Sequence, residues 1–524
     1  MVRRRSALVF VVAATLTVAP SLAGAAAPCS RRVRDAHTGN TASADLLPVC
    51  SPVKLDLHRS GGARPLVEGP VTGGRGRPTV SGTAIDLSEF GYVTEEFFLT
   101  GTAQAYSNAN DFTSDGHWRV APASTAPYKT RIVVYRPSDP ARFNGTVAVE
   151  WLNVSGGLDA APDWITLHTE LLRSGVAWVG VSAQYVGIEA GPSPLTSLVG
   201  GLKVIDPERY GTLSHPGDSY SFDIYSQAGG AVLDPNGPDP LGGLQIRKLI
   251  ALGESQSAFR MVTYVNAIDP VARVFDGFLI HSRGGGGAPL SQDPLPAIPV
   301  SAVARIRTDV RVPVLTFQME TDLIGLKSLP DRQPDSRNFR LWETAGTAHA
   351  DTYTLDVGFT DTGSDPSVAA ILVTAAPIPG VIECGSPINS GPQHWIGNAA
   401  FHALERWVGG GPAPARAARL DVTGDPAHYV LDAHGNVRGG IRTPYVDAPT
   451  ATLSGLGQTG SSFCGIFGTT VPFDDATISA LYATPAAYVS AVTTSAERAV
   501  RQGFLLRPDA DLIEAWAAQS GIGG

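Results

Sequence analysis

From residue 91 onward the chain is patterned by short, nearly continuous apolar runs separated by Gly- and Pro-rich breaks. Gly91–Thr100, Tyr128–Arg136, Thr146–Leu152 and Val176–Ser182 read as strands, followed by Gln245–Leu252, Phe275–His281, Val312–Met319 and Phe339–Ala345. The Pro137–Gly145 linker is rich in Pro, Asp and Asn-Gly, so it predicts a hairpin-type connection between its flanking strands. Helical spacing replaces these runs at Trp164–Ser174, which stops at Gly175, and from Ser257 to about Ala267. The Ala-rich tail, Asp475–Ser520, has the same period. Continuous apolar strands alternating with helices predict a mostly parallel sheet with helices on both faces.

The N-terminal part is patterned differently. Arg3–Arg5, the apolar run Ala7–Ala19 and the small residues Ala23-Gly24-Ala25 have the layout of a signal peptide cut after Ala25. That run is shorter than the roughly 20 residues a membrane span requires. No later run is long enough either, so export without a transmembrane anchor is expected. Residues 26–90 predict an irregular arm and residues 91–524 the main domain, with an inserted or extended region at about 360–470.

Composition narrows the partners. The 524 residues are 43% hydrophobic and 17% charged, which supplies a large core and excludes a disordered chain. A net charge of −9 argues against nucleic acid or an anionic membrane as partner, since both call for a basic face. The four Cys suit an exported chain with two disulfides, and proximity along the chain favours Cys29–Cys50 and Cys384–Cys464. No C-x-x-C pair or His at ligand spacing accompanies them, so neither a metal nor a cofactor is expected.

Gly253-Glu254-Ser255-Gln256-Ser257 lies between an apolar strand and a helix. A sharp strand-to-helix turn of this type needs small residues two positions either side of its centre, and it exposes the central Ser as a nucleophile. A serine hydroxyl needs a base. His349 follows a strand and the small-residue turn Ala345–Ala348, whereas His281 follows an earlier strand and His394 and His402 read as helix residues. The acid that fixes the imidazole belongs after the strand Val312–Met319, where Asp322 is the candidate and Glu320 its rival. An oxyanion site needs two backbone N–H groups. Gln256 supplies one, and the loop Asn153–Gly157 the other, through Val154 or Ser155. Asp159 and Asp163 follow that loop as pocket-lining, solvated or helix-capping groups. Arg283–Gly287 lacks the Lys and Ser/Thr of a phosphate loop and reads as a flexible active-site loop.

These segments resemble the α/β-hydrolase superfamily, and in particular bacterial secreted "alpha/beta hydrolase domain-containing" proteins. The resemblance rests on VEWLNVSGGLDAAPDW (149–164), GESQSAF (253–259), ETDL (320–323), AGTAHADTY (345–353) and GGIRTPYVDAPTATLSG (439–455). It implies an α/β-hydrolase fold and a serine hydrolase, but little about substrate. The long segment after His349 departs from the usual short tail of that superfamily. The leading expectation is an exported esterase acting on a small-molecule or polymeric ester through Ser255, His349 and Asp322. An amidase, peptidase or acyltransferase with the same triad is the alternative within enzymes, and a binding protein on the same fold the alternative outside them. Oligomeric state is not legible.

Overall fold

The computed structural model describes residues 64–191, 200–461 and 463–523. The expected signal peptide, most of the expected arm and the Cys29–Cys50 pair lie outside the described residues. Nine strands form the main sheet: β1 (Leu66–Glu68), β2 (Tyr92–Asn108), β3 (Val120–Pro137), β4 (Thr146–Trp151), β5 (Ala177–Val181), β6 (Lys248–Glu254), β7 (Gly277–His281), β8 (Val314–Gln318) and β9 (Phe339–Glu343). Their order is β1-β2-β3-β5-β4-β6-β7-β8-β9. β1, β2, β3 and β5 are joined antiparallel, and all pairs from β5 through β9 are parallel. β1 is thus an edge strand drawn from residues that read as irregular in the sequence.

The hairpin expected at Pro137–Gly145 is not there. β3 pairs with β2 along most of its length, and β5 lies between β3 and β4. The linker instead makes a 3-10 turn, Pro140–Arg142, capped by the Asp139 side chain. It carries the chain to a strand that is buried throughout and takes parallel neighbours on both sides. Turn-forming residues mark where a chain reverses; they do not say which strand it will lie beside.

Seven helices matter for the site: α1 (Pro162–Ser174), α2 (Ser221–Leu233), α3 (Gln256–Thr263), α4 (Glu320–Ile324), α5 (Gln393–Val408), α6 (Pro485–Gln502) and α7 (Arg507–Ser520). Alternate strand residues serve opposite faces of the sheet. Val147, Val149, Leu249 and Ala251 pack with Phe222 and Tyr225 of α2. Ala148, Ile250 and Leu252 pack with Trp164 and Leu167 of α1 and with Phe401 and Leu404 of α5. Both faces being dry is why these strands read as unbroken apolar runs. Truncating Leu404 to Ala in such a core costs about 2–5 kcal/mol.

Two terminations are dictated by backbone geometry. α1 stops at Gly175, at φ 70°, and a Cβ there would sit 1.9 Å from the Arg142 carbonyl oxygen. The expected helix from Ser257 starts one residue earlier and gives way to a π-helical turn over Tyr264–Ile268. The chain beyond His349 serves two purposes. α5 completes the second helical layer, whereas α6 and α7 form a separate apolar cluster with Trp395, Tyr445 and Leu453. Cys384 and Cys464 form a disulfide across that segment, as the sequence suggested.

Candidate active site

Ser255 occupies the turn between β6 and α3, with φ 57° and ψ −119°. That conformation is strained for a non-glycine residue and is held by its surroundings. Gly253 makes room, since a Cβ there would lie 2.8 Å from the Ser257 carbonyl oxygen. Ser257 is itself small and fully buried. The Ser255 N–H donates to the His281 carbonyl at 3.0 Å, fixing the turn to the end of β7.

His349 follows β9 through a turn in which Gly346 has φ 75°. Its Nε2 lies 2.7 Å from Ser255 Oγ and its Nδ1 2.7 Å from Asp322 Oδ1. Asp322 sits in the first turn of α4, where its other oxygen accepts from the Met319 N–H at 2.7 Å. Asp322 is fully buried and His349 nearly so. The structure thus brings Ser255, His349 and Asp322 into one hydrogen-bonded line.

Glu320, the rival acid, points elsewhere. It accepts from the Gly346 N–H at 2.6 Å and the Gly455 N–H at 2.7 Å, tying the His349 turn to the C-terminal segment. Burial pushes its carboxyl up to about 8, against the opposing pull of those two N–H groups.

The oxyanion candidates divide. Gln256 is the first residue of α3, where backbone N–H groups lack intrahelical partners. In the facing loop, the Ser155 N–H donates to Asn153 Oδ1 at 2.8 Å, so Ser155 does not fit the donor role the sequence allowed it. Val154 is the loop residue left for it. Asn153 is also bound to the turn that holds Ser255, its Nδ2 donating to the Glu254 carbonyl at 3.2 Å and to Glu254 Oε2 at 3.3 Å.

Neither Asp159 nor Asp163 lines an open pocket. Asp159 Oδ2 accepts from buried Arg131 at 2.7 Å and from Ser182 Oγ at 2.5 Å. Asp163 lies 2.9 Å from His281 Nδ1 in the protein interior. The Arg283–Gly287 loop is pinned, not flexible: buried Arg283 donates to Asp331 Oδ2 at 2.7 Å and to the Gly286 and Ala304 carbonyls. His394 is buried against the Tyr353 ring, and His402 bonds Glu170 at 2.9 Å. Among the described residues no group of His, Cys, Asp and Glu is placed to hold a metal ion, and no helix is long and apolar enough to cross a membrane.

Glu254 is the residue that sequence reasoning passed over. Its Oε1 lies 3.6 Å from His349 Nε2. Burial, and then the nearby Asp163, Asp322 and Glu150, push its carboxyl well above the usual range. An acidic residue ending an otherwise apolar strand, directly before the nucleophile candidate, was the available signal.

A family model described as an alpha/beta hydrolase domain matches residues 67–515. No curated protein matches the chain. Solved structures similar to it include acetyl xylan esterase 1 of Thermoanaerobacterium, at 9% identity and a TM-score of 0.29, covering 54% of this chain and 81% of that one. A thermostable esterase of Pseudomonas putida matches at 11% identity and TM-score 0.27, over 50% of this chain and 75% of that one. An α/β serine hydrolase of Xanthomonas campestris, described as lacking a lid, matches at 11% identity and TM-score 0.26, over 47% and 86%.

Proposed function

The chain belongs to the alpha/beta hydrolase domain family, and from that premise we propose that it is a serine hydrolase that cleaves carboxylic esters. The observation that carries this reading is the line Ser255 Oγ, His349 Nε2, His349 Nδ1, Asp322 Oδ1, with 2.7 Å at each of its two hydrogen bonds. His349 takes the Ser255 proton as the oxygen attacks the acyl carbon. The Asp322 carboxylate holds the Nδ1 proton and steadies the imidazolium. The Gln256 and Val154 N–H groups receive the oxyanion. Collapse of the tetrahedral species expels the alcohol, which takes its proton from His349. Water, deprotonated by His349, then releases the acid from the Ser255 ester.

We read the chain as exported, with residues 1–25 removed. The supporting feature beyond the N-terminal pattern is the Cys384–Cys464 disulfide, which suits an oxidising compartment. Sequencing the N-terminus of protein recovered outside the cytoplasm tests this, with Ala26 expected first. The enzymatic reading is tested with a fluorophosphonate probe followed by a panel of acyl esters and matched amides. Probe adduct at Ser255 and faster ester than amide turnover are expected. Absence of labelling in folded protein would overturn the serine hydrolase assignment, and preferential amide turnover would move it to an amidase.

A further inference from the structure

We propose that His281, Asp163 and Gln393 form a buried relay that positions Ser255 and His349 relative to each other, so that the segment following His349 takes part in the reaction through Gln393. This rests on the serine hydrolase reading above.

The relay is defined by its donors and acceptors. Gln393 Nε2 lies 3.1 Å from His281 Nε2. An amide nitrogen only donates, so His281 Nε2 is the acceptor and its proton sits on Nδ1. Nδ1 then donates to Asp163 Oδ1 at 2.9 Å. The same Gln393 nitrogen donates its second hydrogen to the His349 carbonyl at 3.3 Å. The carbonyl of His281 accepts from the Ser255 N–H at 3.0 Å. One imidazole is therefore linked to the backbone of the candidate nucleophile directly and to the backbone of the candidate base through one amide.

The ends of the relay are equally fixed. The His281 ring stacks on Phe317, with centroids 5.0 Å apart. Asp163 is the second residue of α1, which follows the loop that carries Val154, and its own N–H donates to Glu150 Oε1 at 2.9 Å. Gln393 is the first residue of α5, in the segment beyond His349. Burial lowers the His281 imidazole to about 3, so it stays neutral and the donor order holds through any ordinary assay pH. The charged or titratable groups about it are Asp163, Asp322, His349 and Glu254, its partner across the β6–β7 pair.

A polar cluster in a core this dry costs more to assemble than an apolar one. Stability therefore gives no reason for it, whereas geometry does. Rates depend steeply on the placement of the reacting groups, with about 1 Å of error able to cost 10²-fold. Three elements, β6–α3, the His349 turn and α1, are registered at the site by one side-chain chain. His281, Asp163 and Gln393 touch no reacting atom, so they are positioning residues.

The test uses Gln393→Met, which is of similar length and lacks both donors, with Gln393→Ala as a second variant. Each is assayed on a soluble ester, with kcat expressed per fluorophosphonate-labelled site so that only folded protein counts. A fall in kcat of tenfold or more, with KM within twofold and an unchanged acidic limb of the pH profile, is expected. Asp163→Ala, which removes the acceptor for Nδ1, should resemble Gln393→Met. Unchanged kcat per labelled site in both Gln393 variants, whatever their melting temperatures, would overturn the relay. Failure of the wild-type protein to react with the probe would instead overturn the underlying serine hydrolase reading.

Discussion

Glu254 Oε1 stands 3.6 Å from His349 Nε2, the nitrogen that also faces Ser255 Oγ. Two unit charges at such a distance interact by about 4 kcal/mol at an effective dielectric near 20. An ionised Glu254 would therefore favour a positive charge on its neighbour at that nitrogen. Burial, and then the nearby Asp163, Asp322 and Glu150, push the Glu254 carboxyl well above its usual range, towards the neutral form. Glu254→Gln is accordingly expected to leave kcat/KM near wild type at pH 7, with the acidic limb of the profile in place. A shift of that limb to lower pH would mean that an anion had been removed, and the neutral assignment would fail.

Ser255→Ala and His349→Ala should each lower ester turnover on the order of 10⁴-fold or more, and the double variant should be no worse than either. Asp322→Asn should cost a factor approaching 10⁴, because Nδ1 then loses its anionic partner. Glu320→Gln should leave kcat per labelled site largely intact, since Glu320 faces backbone N–H groups. Steady-state kinetics on one soluble ester decides each of these. A larger loss from Glu320→Gln than from Asp322→Asn would reverse the roles assigned to the two acids.

Much of this was legible because the chemistry is local. Gly253 and Ser257 flank Ser255 in the sequence for the steric reason seen in the structure. Asp322 and His349 each follow a strand that the apolar runs already marked. What was not legible depends on neighbours distant in sequence. The place of β5 between β3 and β4 is set by its antiparallel pairing with β3 and its parallel pairing with β4, which the linker's turn residues do not encode. The fate of Arg283 turns on Asp331, and that of Asp163 on His281. Gln393 is one polar residue at the start of an amphipathic helix, and nothing in its local pattern marks it.

Glu320 gives a pH dependence of stability with an unusual sign. Its carboxyl stands near 4.5 in the unfolded chain and is pushed up to about 8 in the fold. Between those values the folded state binds the proton that the unfolded state has released. Stability from this group is therefore full below about 4.5 and declines as pH rises towards 8. Glu320→Gln has nothing to titrate there. Its stability relative to wild type should improve steadily across that window, whatever offset the amide introduces. Urea unfolding at several pH values measures the difference, and a pH-independent difference would show that Glu320 is ionised in the fold throughout.

The Cys384–Cys464 disulfide closes a separation of 80 residues. Chain-entropy arithmetic assigns about 4–5 kcal/mol to a loop of that length. The sulfurs lie in an apolar cluster with Ile382, Ile388, Phe467 and Ala350, the residue directly after His349. The Ala350 N–H reaches the Ile466 carbonyl at 3.5 Å, so the loop held by the disulfide abuts the His349 turn. Reduction, or Cys464→Ser, is expected to lower the melting temperature and raise KM, while leaving kcat per probe-labelled site nearly unchanged. The hydrogen-bonded line through Asp322, His349 and Ser255 does not pass through the disulfide, and Gln393, although inside the loop that the disulfide closes, is held by the packing of α5 against α1 and the sheet, so the chemical step is expected to keep its rate. An unchanged melting temperature under reducing conditions would remove the stabilising role, and a fall in kcat at constant KM would place the disulfide in support of the Ser255–His349–Asp322 line.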